Sequence, residues 1–140
     1  MWSLEADGMM EHVATCRCGQ MRAVCAGEPV RVSVCHCLNC QRRSGSAFAV
    51  QARFPEERVR LSGEISDWSV VGKNGARATF RFCPCCGSTV TYTSEAMPGV
   101  IAVAVGAFAD PNFPPPSFSG YEERRHPWAV VTGYNIEHFD

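Results

Sequence analysis

The sequence has no excess of charge of either sign: 14 acidic residues stand against 13 lysines and arginines. Domains that hold nucleic acid through its phosphates are usually strongly basic, because neutralising phosphates supplies much of that affinity. The balance argues against a nucleic-acid partner. Long apolar runs are missing too. No stretch reaches the ~20 apolar residues of a transmembrane helix, so no membrane partner is expected. The opening residues MWSLEADGMMEHVA are acidic and carry no apolar run, unlike a secretory signal. There is no internal repeat, no low-complexity linker and no long amphipathic helix periodicity.

Cysteine, in contrast, is plentiful. Nine cysteines are many for 140 residues, and an odd number cannot all pair within one chain. Without a secretory signal the expected compartment is the cytoplasm, which keeps thiols reduced. Tight cysteine clusters there more often bind metal than form disulfides. The cysteines are not needed merely to hold the chain together. A chain of this length buries roughly two-thirds of its unfolded surface, and 46% hydrophobic residues can fill a core.

The rest of the pattern is short and β-like. MRAVCA, VRVSVC, SAFAVQARF, RVRL, ISDWSVV, RATFRF, STVTYT and GVIAVAVGAF are rich in Val, Thr and aromatics, with Gly, Pro, Asn or Asp between many of them. One short helix is predicted from Leu38 to about Ser44, ended by Gly45. Asp110 to Gly120 is expected to be an irregular loop, because its prolines remove backbone donors. The expected fold is mainly β: a single, mostly antiparallel domain with little helix, stapled by zinc–cysteine sites.

Two cysteine pairs end in glycine: Cys16 with Cys18 before Gly19, and Cys83 with Cys86 before Gly87. In metal knuckles the chain turns tightly so that backbone N–H groups face the sulfurs, and glycine takes the positive φ this can require. Together the pairs offer four thiolates, the set of a closed structural zinc site. The intervening Cys85 could replace one of its neighbours. Cys25 reads as a small core residue on a strand.

Cys35, Cys37 and Cys40 remain, as C-x-C-x-x-C. Three protein ligands with a fourth position left to substrate is a catalytic arrangement. Three thiolates make the metal a weaker Lewis acid toward water than three imidazoles would, and a better host for another soft ligand. A thiol substrate fits such a site, and the metal would keep it deprotonated near neutral pH. The bland readings are a second structural site completed by Cys85, Cys25 or a histidine, and an iron–sulfur cluster, although the spacing matches neither common ferredoxin pattern. His36, between two ligands, should point away from them and lie at the surface or behind the site. His126 reads as an ordinary loop histidine. Arg42 and Arg43 are either a solvated pair or an anion clamp for substrate carboxylates. Ser44 and the Gly45 backbone are further polar candidates.

Taken together, C-x-C-G at Cys16–Gly19, C-H-C-x-x-C followed by RRSG at Cys35–Gly45, and F-C-x-x-C-G-S at Phe82–Ser88 resemble the glutathione-dependent formaldehyde-activating enzyme family, which includes centromere protein V. GEISDW and VAVGAFAD are similar to its loop-and-strand pattern, and Cys85 is an extra thiol within it. The likeness implies a zinc-binding β domain over residues 13–131, between an N-terminal extension (1–12) and a C-terminal tail (132–140). The resemblance implies a mainly β fold with two zinc ions per chain. One is structural, on Cys16, Cys18, Cys83 and Cys86; the other is catalytic, on Cys35, Cys37 and Cys40. It also implies carbon–sulfur lyase activity, with glutathione as cosubstrate and formaldehyde as the small aldehyde, joined as S-hydroxymethylglutathione or released from it. The competing reading is a non-catalytic zinc-stapled β domain that binds glutathione or a protein. Oligomeric state is not legible.

Overall fold

The computed structural model describes residues 3–140; Met1 and Trp2, within the expected 1–12 extension, lie outside the described residues. Two sheets are built. The smaller one joins β1 (Glu11–Thr15), β2 (Arg22–Ala26) and β5 (Val59–Ser62) in the order β1-β2-β5. The larger contains β3 (Arg31–Cys35), β4 (Ala49–Pro55), β6 (Ser66–Val71), β7 (Arg77–Phe82), β8 (Thr89–Ser94), β9 (Val100–Ala104), β10 (Phe118–Gly120) and β11 (Glu137–His138). Its order is β11-β10-β3-β4-β9-β8-β7-β6. The mainly β, mostly antiparallel expectation holds, with β10 and β11 joining as a parallel edge. No helix among the described residues is long and apolar enough to cross a membrane.

Every apolar segment read between Met21 and Phe108 contains a strand, β2 to β9. The one α-helix among the described residues, α1 (Leu38–Ser44), ends where glycine predicts. Gly45 sits at φ 68°, left-handed, and donates its N–H to the Gln41 carbonyl. The Asp110–Gly120 loop is a correction: its last three residues form β10. Pro114, Pro115 and Pro116 lack donors, but the chain beyond them does not. Ser117 N–H reaches the Val32 carbonyl at 3.0 Å, and Phe118 to Gly120 then zip along the free edge of β3. The pair Glu137–His138 extends that edge.

The register sorts the larger sheet into two faces. Directly paired residues share a face, and the face alternates along each strand. Val32, Ala52 and Val103 lie in one row and pack on Ala14, Ala23 and Cys25 of the smaller sheet. Phe54 and Val103 are fully buried there, each contributing about 1.5–3 kcal/mol of burial energy. The other face carries a different row. Arg31 pairs with Arg53, Arg53 with Ala102, Ala102 with Tyr92, Tyr92 with Phe80 and Phe80 with Trp68. Ser33 and Cys35 stand on that second face, two and four residues along β3 from Arg31.

Candidate metal centres and the adjoining groove

Both glycine-ended knuckles are hairpin turns. Cys16 and Cys18 lie between β1 and β2; Cys83 and Cys86 lie between β7 and β8. One turn belongs to each sheet, and the fold brings their sulfurs together. All four Sγ atoms lie within 4.8 Å of one another. Cys16 Sγ is 3.6 Å from Cys18 Sγ, which is 3.7 Å from Cys83 Sγ. A tetrahedral zinc with Zn–S of about 2.3 Å spaces its sulfurs by ~3.8 Å, so the donor set fits that ion. Gly19 and Gly87 take φ 87° and 83°, the left-handed turns the knuckles require.

The surroundings suit thiolates. Met21 N–H points at Cys16 Sγ (3.3 Å) and Cys85 N–H at Cys83 Sγ (3.3 Å). The Gln20 amide donates to Cys83 Sγ at 2.9 Å and also to the Glu64 carbonyl, while its oxygen accepts from Glu64 N–H. The Ser88 hydroxyl, helped by the backbone N–H groups of Ser88 and Cys18, holds the Cys86 thiol down at about 5. The Cys85 sulfur is outside the group and faces the Glu64 carboxylate at 3.8 Å. Cys25 is buried in the core, and burial pushes its thiol up to about 12.

The second cluster is built by the end of β3 and the start of α1. Cys35 is the last residue of β3, Cys37 caps the helix, and Cys40 sits in its first turn. The Cys37 sulfur accepts from Cys40 N–H at 3.3 Å, so the cap that starts the helix also aims a sulfur. The three Sγ atoms lie within 4.8 Å of one another, and among the described residues no fourth Cys, His, Asp or Glu joins them. Hydrogen bonds from the Cys35 and Cys40 thiols draw Cys37 far down. Cys35 is pushed up by its hydrogen bonds with Cys37 and Cys40 and by burial. The trio is thus a soft, electron-rich set with three ligands, able to hold a metal ion while leaving one position for another ligand.

His36 corrects part of its expected placement. It is not at the surface but fully buried, its ring 5.6 Å from Phe48 and outside the sulfur cluster. Burial lowers its pKa and favours the neutral ring. Its backbone carbonyl accepts from the Gln41 side chain at 2.8 Å. Gln41 also donates to Arg124 O (3.1 Å) and accepts from His126 Nε2 (2.8 Å). His126, expected to be an ordinary loop residue, therefore ties the C-terminal loop to the helix carrying Cys40.

The polar candidates after the trio separate. Arg42 bonds Asn39 on the exposed side of α1 at 3.3 Å. Arg43 lies over the rings of Tyr92 (5.0 Å) and Phe80 (5.4 Å). Neither arginine has an ion-pair partner among the described residues. The Ser44 hydroxyl is used locally, near Gln41 O and accepting from Ser46 N–H. Burial pushes the Tyr92 phenol up; Arg53 and Arg43 oppose this, and the Cys40 and Cys35 sulfurs reinforce it. Tyr92 thus feels both the arginines and the trio. Beside it, α1 and the β6–β7 hairpin enclose a groove of about 610 Å³.

Sequence reasoning missed Arg31, Arg53, Tyr92, Phe80 and Trp68 as neighbours of the site. Alternation within VRVSVC puts Arg31, Ser33 and Cys35 on one side, and that was the available signal. The burial of Ser33 and Gln51, joined at 3.3 Å, and the Arg53 bond to Ser33 show that this face is polar beneath the trio.

No functionally curated protein matches the sequence. Among solved structures, a crystal structure of a Rhodobacter sphaeroides protein is similar, at 22% identity over 68% of this chain and 85% of that one, with a TM-score of 0.54. At that identity the likeness speaks for the fold alone. The sequence model of the glutathione-dependent formaldehyde-activating enzyme family matches residues 11–124, which takes in both cysteine clusters, and the chain belongs to that family.

Proposed function

We propose that this protein is a zinc-dependent carbon–sulfur lyase acting on a thiol–aldehyde adduct of the S-hydroxymethylglutathione type. Cys16, Cys18, Cys83 and Cys86 hold a structural zinc, and Cys35, Cys37 and Cys40 a catalytic one. The observation that carries this reading is the trio itself: three sulfurs within 4.8 Å, with no fourth protein ligand among the described residues. The setting that suits clustered thiols as metal ligands is the reducing cytoplasm.

When bound, zinc on three thiolates accepts a further soft ligand and keeps an added thiol deprotonated near neutral pH. The chain's residues do the rest. Cys37 and Cys40 fix the metal position relative to α1, whose place is held by the Gln41 contacts to His36 and Arg124. Arg42 and Arg43 supply unpaired cations for the carboxylates of glutathione. In the forming direction the thiol sulfur attacks the aldehyde carbon and a C–S bond forms. The C=O π pair moves to oxygen, which takes up one proton, matching the one the thiol lost. The lyase direction reverses each of these moves.

The test is exchange spectroscopy on glutathione and formaldehyde at equilibrium with the zinc-loaded protein. The adduct should form and dissociate faster than in buffer, and Cys40→Ser should return the rate to that of buffer. An unchanged exchange rate with fully loaded protein would leave a binding module as the better reading.

A further inference from the structure

The groove beside the trio is walled by the wrong chemistry for a one-carbon substrate. On one side stand Asn39 and Arg43, which bracket Cys40 along α1; on the other stand Trp68, Val70 and Phe80. Trp68, Phe80 and Tyr92 occupy directly paired positions on three neighbouring strands. Trp68 stacks on Phe80 at 6.0 Å and 28°, and Phe80 meets Tyr92 at 5.2 Å. Arg43 covers the two inner rings of this ladder. The outer ring, Trp68, is 59% exposed, and Val70 beside it is 39% exposed.

That exposure lies on β6, the edge strand of the larger sheet. An apolar edge is a liability that folds normally blunt with charge or cover. Here the apolar residues wall a cleft whose volume falls in the range of small-molecule sites. The cleft runs along the flank of the helix carrying Cys40, and that helix supplies its cations, Arg42 and Arg43. Formaldehyde offers one carbon, and glutathione is a polar, charged tripeptide. Neither gains much from two stacked rings and a valine.

We propose that this groove receives the aldehyde-derived half of the thiol adduct, and that it favours an apolar, ring-sized group there over the single carbon of formaldehyde. The proposal rests on the thiol-adduct reading of the three-cysteine site. Arg43 marks the boundary between the two halves: its guanidinium serves the charged thiol carrier on one side, and the rings beneath it continue into the apolar wall on the other.

Calorimetry of S-benzylglutathione and S-methylglutathione against the zinc-loaded full chain tests this, because the two thioethers differ only in the group the groove would take. The benzyl compound should bind on the order of tenfold more tightly, or better, as apolar pockets discriminate between groups of different size. Trp68→Ser should bring the two affinities together, and Trp68→Phe should keep them apart. Zinc content and thermal melting establish that both variants are folded. Equal affinities in the wild-type protein, no binding of either compound, or a preference that survives Trp68→Ser overturns the proposal. So does a wild-type dimer that Trp68→Ser makes monomeric with the preference intact, since this face would then be a contact between copies. Free glutathione in the same experiment keeps the two readings apart. If the benzyl preference stands but glutathione releases no proton on binding, the thiol reading of the trio fails and the groove does not.

Discussion

Cys18 Sγ lies 3.7 Å from Cys83 Sγ, although 65 residues separate them and they sit in hairpins of different sheets. A metal at this point fastens one sheet to the other. Structural zinc binding is worth ~10–16 kcal/mol in small domains, whereas a whole domain is stable by only ~5–15 kcal/mol. Cys86→Ser, or removal of zinc by a strong chelator, should therefore abolish cooperative folding rather than lower stability slightly. Near-UV circular dichroism and thermal melting check this, and a sharp melt without metal would contradict it.

The three-cysteine cluster should behave differently. It joins only the end of β3 to the first turn of α1, and the core does not run through it. Cys40→Ser is expected to keep a folded chain with one tightly held zinc and a stability loss within about 2 kcal/mol. Metal analysis together with a denaturant melt reads both quantities. Unfolding as complete as that of Cys86→Ser would make the trio a second structural site.

Gly63 predicts a loss of stability at a position with no chemistry of its own. It has φ 94°, and a Cβ there would land on the Gln20 carbonyl oxygen. Gln20 is the residue whose amide holds the Cys83 sulfur. Gly63→Ala should cost at least about 1–2 kcal/mol and lower Tm by roughly 4–8 °C. It should also loosen the four-cysteine site, seen as faster zinc transfer to a chelator. An unchanged Tm would show that the Gln20 contacts are dispensable.

Stability of the C-terminal edge should depend on pH through Glu122. Burial acts to raise its carboxyl, but the Ser119 hydroxyl and the His138 ring, both at 2.6 Å, more than offset this and hold it below the usual carboxylate range. A depressed folded-state pKa stabilises above the unfolded value, near 4.5, and that contribution is lost as pH falls through the lower folded value. Amide exchange at Phe139, whose N–H bonds Ser119 O at 2.8 Å, should accelerate over that acid range relative to core amides. Glu122→Gln should remove the extra pH dependence; if exchange keeps the same pH profile in that variant, the carboxylate is not the clamp.

Much of this was legible because metal ligands obey local rules. A closed site needs pairs of cysteines in tight turns, and the turns need glycine, so Cys16, Cys18, Gly19 and Cys83, Cys86, Gly87 announce themselves. The helix Leu38–Ser44 was legible through Gly45. β10 and β11 were not, since strands of three and two residues carry no periodicity and owe their existence to an available edge. The row from Arg31 to Trp68 was hidden for another reason. Alternation places Arg31 with Cys35, but only the strand order and register bring Arg53, Tyr92, Phe80 and Trp68 alongside. Arg43 likewise could not be separated from Arg42 until the sheet beneath it was known.

The central claim is that Cys35, Cys37 and Cys40 leave one metal position open to a thiol. Calorimetry of glutathione binding to the zinc-loaded protein, repeated in buffers of different ionisation heat, tests it most directly. A thiol that is mostly protonated in solution and bound as thiolate should release about one proton near neutral pH, and the release should vanish in Cys40→Ser. Binding without proton release, or release unaffected by Cys40→Ser, would contradict an open thiol-accepting site.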